Sequence, residues 1–588
     1  MYSGEPPKRQ TSIHKLLFLM KSTEKKKEVK NKMAKKQKLD ANGFRKFGLR
    51  DKLAYAAGDA ACNLSFGLKG TVQTFWLVYM MMETGLFSIL LLLVQAWDAI
   101  NDPLIGTLID SDKRKYKIGK YKTYILIGAL GLLVGGAAVF IPFPGANKVV
   151  KAILFVVGYI IWDAAYTFAN VPYGTMLNLV TEDDQERASL SVFRSIGGAV
   201  GGMIPGIILP MLIWEKVTYP ENGAQGLWDK LASSLEGTGI KLEDLTHVPN
   251  NPAVFPDNAG NAYQPGDPVY SPLTGAQFEI LHGDKVFFAA LIMGVLAFVF
   301  FLFMIKNITI RGNEYQVLNK EDAPKVNIFK SFVTFLKNRP AVGCTIAAMG
   351  MFLGMQSAST ANTIMFATHF GNASMSGLVM MVGFLPMFIF MPFATKLVKK
   401  FGKKEVASIG SIAGLVGGAI LLVFPLCPKN IQLVVYMAGL IFFGLGMGFY
   451  NCVSWAMMGD AIDYQEWKTG KREEGIVYSL HSFFRKLAQG VGPAAVIAIM
   501  GTALIGYEEK LGTIGQSAQT AQNMCWLVAI LYTFSAICQF VGVALVYNID
   551  KKTLATMKAE LAERRGNAPV AGVSADAVVP EVANITIE

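Results

Sequence analysis

The chain has 588 residues, of which 52% are hydrophobic and only 17% charged, and its mean hydropathy is +0.37. A soluble chain carries about a quarter of its residues as charges, so the composition excludes a soluble globular protein and predicts a membrane protein. The formal charge of +12 does not point to nucleic acid, because residues 1–52 alone hold 16 Lys and Arg against 5 Asp and Glu.

A lysine-rich tail next to a first membrane span orients that span and meets anionic lipid. Residues 1–52 therefore read as a basic, disordered cytoplasmic tail. Its apolar run Leu17 to Met20 is too short for a signal-peptide core. A start at Met33 would give a shorter tail of ordinary appearance.

Apolar segments of spanning length then recur at 53–80, 86–109, 123–143, 151–178, 190–214, 286–305, 341–366, 376–398, 406–426, 431–458, 476–504 and 522–547. The expected architecture is an all-α membrane protein of twelve transmembrane helices. Every second connection is basic, as at Lys113–Lys122, Lys325–Arg339, Lys396–Lys404 and Lys468–Arg472. The positive-inside rule then places both termini and these loops in the cytoplasm of a multi-pass cell-membrane protein. The turns Lys113–Lys122 and Lys399–Lys404 resemble each other and lie six spans apart, as expected of two pseudo-symmetric six-helix halves, 53–306 and 341–548. Residues 307–340 read as the linker, amphipathic from Ile328 to Leu336. Residues 215–284, rich in Pro, Gly and Asn, read as an extracellular loop, a tolerated insertion sooner than a lid; 549–588 read as a short cytoplasmic tail. The six cysteines show no paired spacing, so neither a disulfide framework nor a zinc site is expected.

The informative positions are polar groups inside the spans. A charge at mid-membrane costs several kcal/mol, about 2.5–3.5 on insertion scales, and persists mainly where it meets a partner or a watery cavity. Span 2 carries Asp98, Asn101 and Asp102 on one helical face. Two carboxylates that close repel each other unless a cation or a proton lies between them, which is the chemistry of a cation site. Span 1 carries Asp59, Asn63, Lys69 and Gln73, and span 4 carries Asp163, Tyr166, Thr167 and Asn170 ahead of Pro172. Span 5 opens with Arg194, span 7 carries Gln356, span 10 carries Asn451 and Trp455, and span 11 carries His481, Ser482, Arg485 and Lys486. Amides, aromatics and charges in this mixture suit a ligand with many hydroxyls and flat apolar ring faces, namely a sugar. Lys486 needs an anionic partner, which Asp59, Asp98 or Asp102 could supply. Asp460, Asp463, Arg472 and Glu473 lie near the cytoplasmic rim and read as a gate of ion pairs, with Asp59 as a further acidic group near the pathway.

The segments Trp97-Asp-Ala-Ile-Asn-Asp-Pro103 and Asp460-Ala-Ile-Asp-Tyr-Gln-Glu-Trp-Lys-Thr-Gly-Lys-Arg-Glu-Glu-Gly475 resemble the glycoside-pentoside-hexuronide:cation symporter family of the major facilitator superfamily. The resemblance implies a twelve-helix transporter that couples sugar uptake to sodium or protons by alternating access. It places the cation, or metal, site on Asp98 and Asp102 with Asn101 and Thr167. It places sugar contacts on Asn63, Asn170, Arg194, His481 and Ser482, and the lysine of the eleventh helix on Lys486. To these the residues add Tyr166, Gln356, Asn451 and Trp455. Melibiose-transporting members carry carboxylates where this chain has Asn63 and Asn170 and tryptophans where it has Gly174 and Asn451, which argues for a different sugar. The amides with Arg194 and Lys486 would serve a hexuronide carboxylate or a neutral glycoside or pentoside equally.

No nucleophile with its base is recognisable, so no catalytic residue and no enzyme activity are expected. No cofactor is expected beyond the coupling ion, for which hard oxygen donors favour sodium. The expected partners are a sugar, the cation and the lipid bilayer, with no nucleic acid and a monomeric state. The rival readings are a lysolipid or other amphiphile symporter of the same fold and a non-transporting sugar sensor.

Overall fold

The structure is a computed structural model and describes residues 44–181, 184–218, 277–312, 328–470, 474–509, 513 and 516–564. Most of the tail 1–52, the bulk of the loop 215–284, much of the linker, the gate residues Arg472 and Glu473, and residues 565–588 lie outside the described residues.

The first span is α1 (Leu49–Phe66), continued after Gly67 by α2 (Leu68–Thr74) and a π-helical turn (Phe75–Tyr79). There follow α3 (Thr84–Ser111), α4 (Lys120–Ala138), α5 (Lys148–Val180) and α6 (Asp184–Ile213). A two-stranded antiparallel ribbon, β1 (Trp214–Thr218) with β2 (Gln277–Leu281), pairs Trp214 with Leu281 and leads into α7 (Gly283–Asn307). The second half opens with the short α8 (Ile328–Lys337). It continues through α9 (Arg339–Thr368), α10 (Met375–Phe401), α11 (Lys403–Val423), α12 (Lys429–Thr469), α13 (Glu474–Met500) and α14 (Ala518–Phe540), the last prolonged by a π-helical turn (Val541–Val546). A final helix, α15, covers Lys551–Arg564.

Among the described residues, ten helices are long and apolar enough to cross a membrane. The first span and α10 complete the set of twelve. The first span falls short because Arg50, Asp51, Lys52, Asp59 and Lys69 dilute its apolar stretch. Exposed Val, Ile, Leu and Phe side chains such as Val134, Val149, Ile292 and Val434 stud the outer helix faces, as lipid requires.

Helix pairing repeats six spans on. In the first half α1 packs on α6 and α7, α4 on α5 and α7, and α3 on α5. In the second, α9 packs on α13 and α14, α11 on α12 and α14, and α10 on α12. The halves meet through α3 with α13 and α6 with α10, two contacts that the same shift exchanges. Small residues permit the closest approaches. A Cβ on Gly197 of α6 would stand 2.0 Å from the Ala56 carbonyl oxygen of α1, and one on Gly201 2.3 Å from that of Ala60. The two basic turns share one conformation: Gly119, before α4, has φ 98° and ψ 154°, and Gly402, before α11, has φ 112° and ψ 162°.

Three expectations need correction. The tenth span does not stop at 458, because α12 runs on through Asp460 and Asp463 to a left-handed cap at Gly470. The segment after 548 is not merely a loose tail. In α15, Met557 and Leu561 are buried, the Trp467 indole N–H donates to Glu560 at 2.6 Å, and Arg564 donates to the Trp467 carbonyl at 2.9 Å. The ends of the 215–284 loop are built structure too: the Ser374 backbone N–H and hydroxyl both donate to buried Glu279 of β2 at 2.6 Å, which ties the ribbon to the start of α10.

Candidate functional site

Four helices bring an ionic cluster together between the halves. α3 supplies Asp98, Asn101 and Asp102, α5 supplies Asp163 and Thr167, α2 supplies Lys69, and α13, from the other half, supplies Lys486. The Asn101 amide donates to Thr167 Oγ1 at 3.1 Å and to Asp163 Oδ2 at 3.3 Å. The Thr167 hydroxyl donates to Asp102 Oδ1 at 2.9 Å. Asn101, Asp102 and Thr167 thus lie side by side, with Asp98 one turn before Asp102 on the same helix, and Asn101 and Thr167 are buried.

The charge between the two carboxylates is met differently from the expectation. Each has its own ammonium group: Lys69 lies 3.5 Å from Asp98, and Lys486 pairs with Asp102 across the interface between halves. Of the three partners open to Lys486, Asp102 is the one the fold provides. Lys69 and Asp163 were seen as polar residues inside spans 1 and 4 but given no site role. The signal that could have found Asp163 is its spacing: it stands one turn before Thr167 on the same face.

The residues expected to hold sugar divide among three places. Asn63 sits in a second cluster with Asp59 and Arg194. Arg194 Nε donates to Asp59 at 3.0 Å, the Asn63 amide donates to Asp59 Oδ2 at 3.1 Å, and the guanidinium lies 5.2 Å over the Tyr173 ring. Arg194 and Asp59 therefore neutralise each other inside the first half. In the second half, His481 is buried and bonds Thr345 at 2.9 Å through Nδ1, while its ring stands edge-on to Trp455. His481 ties α13 to α9. Tyr166 tilts against Phe66, and Asn170 and Ser482 are half-buried away from the chamber wall described next.

That chamber, of about 340 Å³, lies between α1, α2 and α6 of one half and α9, α10 and α12 of the other. Of the expected sugar contacts, Asn63, Gln356 and Asn451 line it. Its volume falls within the range of small-molecule sites, about 300–1,000 Å³.

The gate expectation is altered as well. Asp460 is buried and takes both of its bonds, at 2.8 and 2.7 Å, from Lys403 of α11 in the same half. It fastens α11 to α12 instead of bridging the halves, because α12 continues far enough to bring it beside the first turn of α11. Asp463 lies half-buried a turn further on.

Comparison with known proteins matches residues 54–551 to the family described as MFS/sugar transport protein. The chain belongs to this family. It is a glycoside-pentoside-hexuronide symporter of the major facilitator superfamily: a multi-pass membrane transporter of sugar-type substrates, and not an enzyme. It is 28% identical to the uncharacterized symporter YjmB of Bacillus subtilis (strain 168), covering 87% of this chain and 94% of that one. It is 26% identical to the isoprimeverose transporter of Lactiplantibacillus pentosus (85% and 89% covered) and 25% to the glucuronide carrier protein homolog of Escherichia coli K12 (77% and 84%). The fold is that of a solved D-xylose-proton symporter, with a TM-score of 0.52 at 12% identity over 84% of this chain and 96% of that one.

Proposed function

We propose that this symporter imports a glycoside, pentoside or hexuronide together with a sodium ion or proton, by alternating access, with the basic end and both termini in the cytoplasm and the monomer as the working unit. The observation that carries the reading is the set of oxygen donors on Asp98, Asn101, Asp102 and Thr167, clamped by Lys486 from the opposite half. A cation arriving there competes with the ammonium groups of Lys69 and Lys486 for the two carboxylates. Displacing Lys486 from Asp102 releases a contact between the halves, so occupancy of the cation site and the relative position of the halves are linked. Sugar and cation then raise each other's affinity by the same factor. The basic loops and tail support the orientation.

The test is uptake into reconstituted vesicles from a panel of radiolabelled xylosides, glucosides, galactosides and glucuronides, under an inward sodium gradient and separately under an inward proton gradient, for wild type and Asp98→Asn. Accumulation under one gradient, lost in the variant, is the expected result. No accumulation of any sugar under either gradient sinks the proposal.

A further inference from the structure

The relatives carry both neutral and acidic sugars in their names, and the chamber holds an observation that separates the two. Among the described residues, none that lines it is Asp, Glu, Lys, Arg or His. Its wall offers neutral hydrogen-bonding groups, Asn63, Gln356, Ser359, Thr363 and Asn451, interspersed with apolar side chains such as Met203, Met355, Met380, Phe384 and Met447. Among the described residues the carboxamides of Gln356 and Asn451 are engaged in no side-chain hydrogen bond, which leaves both donors and acceptors for a ligand.

The cations nearby are already committed. Arg194, one turn before the lining Gly198, is held by Asp59; Lys69 is held by Asp98 and Lys486 by Asp102. Arg485 lies over the rings of Phe352 and Trp455, at 5.4 and 5.3 Å, and is not part of the wall. An anion buried without a partner charge is far costlier than a hydroxyl matched by an amide. Resting on the symport reading, we infer that the substrate is an uncharged glycoside, its hydroxyls on the amides and an apolar aglycone or ring face on the methionines, and that uronides and sulfonated sugars are discriminated against. Methionine suits that contact because its side chain adapts to varied apolar shapes.

The experiment measures binding to the purified protein in nanodiscs with matched probes: phenyl and methyl β-glucosides, galactosides and xylosides, and the phenyl uronides of the first two. The phenyl glycoside that binds should do so at least tenfold more tightly than its uronide and several-fold more tightly than its methyl counterpart. Asn451→Leu and Gln356→Leu should each weaken it at least tenfold, and Asn451→Gln, which keeps the amide, should retain most of the affinity. The same glycoside should shield Ser359→Cys from alkylation, which locates it in the chamber independently of transport. Equal or tighter binding of a uronide, or binding indifferent to Asn451→Leu without protection at Ser359→Cys, overturns the inference and leaves symport standing. Failure of every probe to bind, joined to failure of the uptake panel, overturns the symport reading itself.

Discussion

Lys69 sets the charge of the ionic cluster. Three carboxylates, Asp98, Asp102 and Asp163, share it with two ammonium groups, Lys69 and Lys486, and Asp163 lies within electrostatic reach of both Asp98 and Lys69. Removing one partner of a buried ion pair typically costs about 3–5 kcal/mol, because the other charge is stranded. Lys69→Met should therefore lower the melting temperature of the detergent-solubilised protein markedly. Lys69→Met with Asp163→Asn, which restores the balance of charge, should recover most of the loss; a double variant no more stable than the single one would show that the two residues are independent. Outside the membrane, Asp112 accepts from the hydroxyls of Tyr116 and Tyr124, at 2.5 and 2.7 Å, and from the Arg114 N–H at 2.9 Å. These bonds, that of Tyr116 foremost, hold its carboxyl down at about 2 instead of the ordinary 3.8. A carboxyl lowered by folding contributes stability that is present above its ordinary value and is lost as pH falls toward the folded one. The stability advantage of wild type over Asp112→Asn should thus be full above about pH 4 and gone by about pH 2. At this scale the sequence shows which groups are polar inside a span but not which groups meet. The face shared by Asp98, Asn101 and Asp102 follows from helical spacing, whereas the Lys69–Asp98 pairing depends on how α2 crosses α3.

At the scale of elements, the repeated turn before α4 and α11 rests on glycine. The conformations at Gly119 and Gly402 lie in a region essentially confined to that residue, and forcing another residue there costs about 1–3 kcal/mol. Gly119→Ala and Gly402→Ala should therefore each lower stability by an amount in that range. Thermal melting of the two variants measures both, and an unchanged melting temperature in either would show that its turn relaxes without strain. The spans are legible because lipid demands long apolar runs, and apart from the tenth their ends fall within a few residues of the helices. The tenth span ends at 458 by hydropathy while α12 continues to Thr469, because hydropathy marks where the lipid stops, not where the helix does. The docked helix α15 was overlooked although Leu554, Met557 and Leu561 mark a helical stripe; its polar composition hid it among tail residues.

At the scale of the whole molecule, contacts between halves gather, among the described residues, away from the basic end. Thr84 N–H donates to Glu509 at 2.5 Å, a Cβ on Gly377 would meet the Ile207 carbonyl oxygen at 2.6 Å, and Glu279 clasps Ser374. Breaking these contacts is the work of opening that face. Glu279→Gln should weaken the clasp, and a membrane-impermeant thiol reagent applied to that face should then alkylate Ser359→Cys several-fold faster than in the protein with Glu279 intact. An unchanged rate would assign the clasp to loop anchoring alone. The twelve-span pattern and the motif at Trp97–Pro103 made the architecture readable from the chain, while this tie joins residues 95 positions apart through a loop whose composition reads as mere insertion.

The ribbon also makes the two directions of rocking unequal. Its strands belong to the first half and its clasp to the second, so tilting one way leaves it slack and tilting the other way breaks it. Each 1.4 kcal/mol held in such a contact is about a tenfold difference in occupancy between the two orientations. On the proposed alternating-access cycle, an empty carrier would then dwell with the clasped face shut and take on cargo in the brief openings of that face.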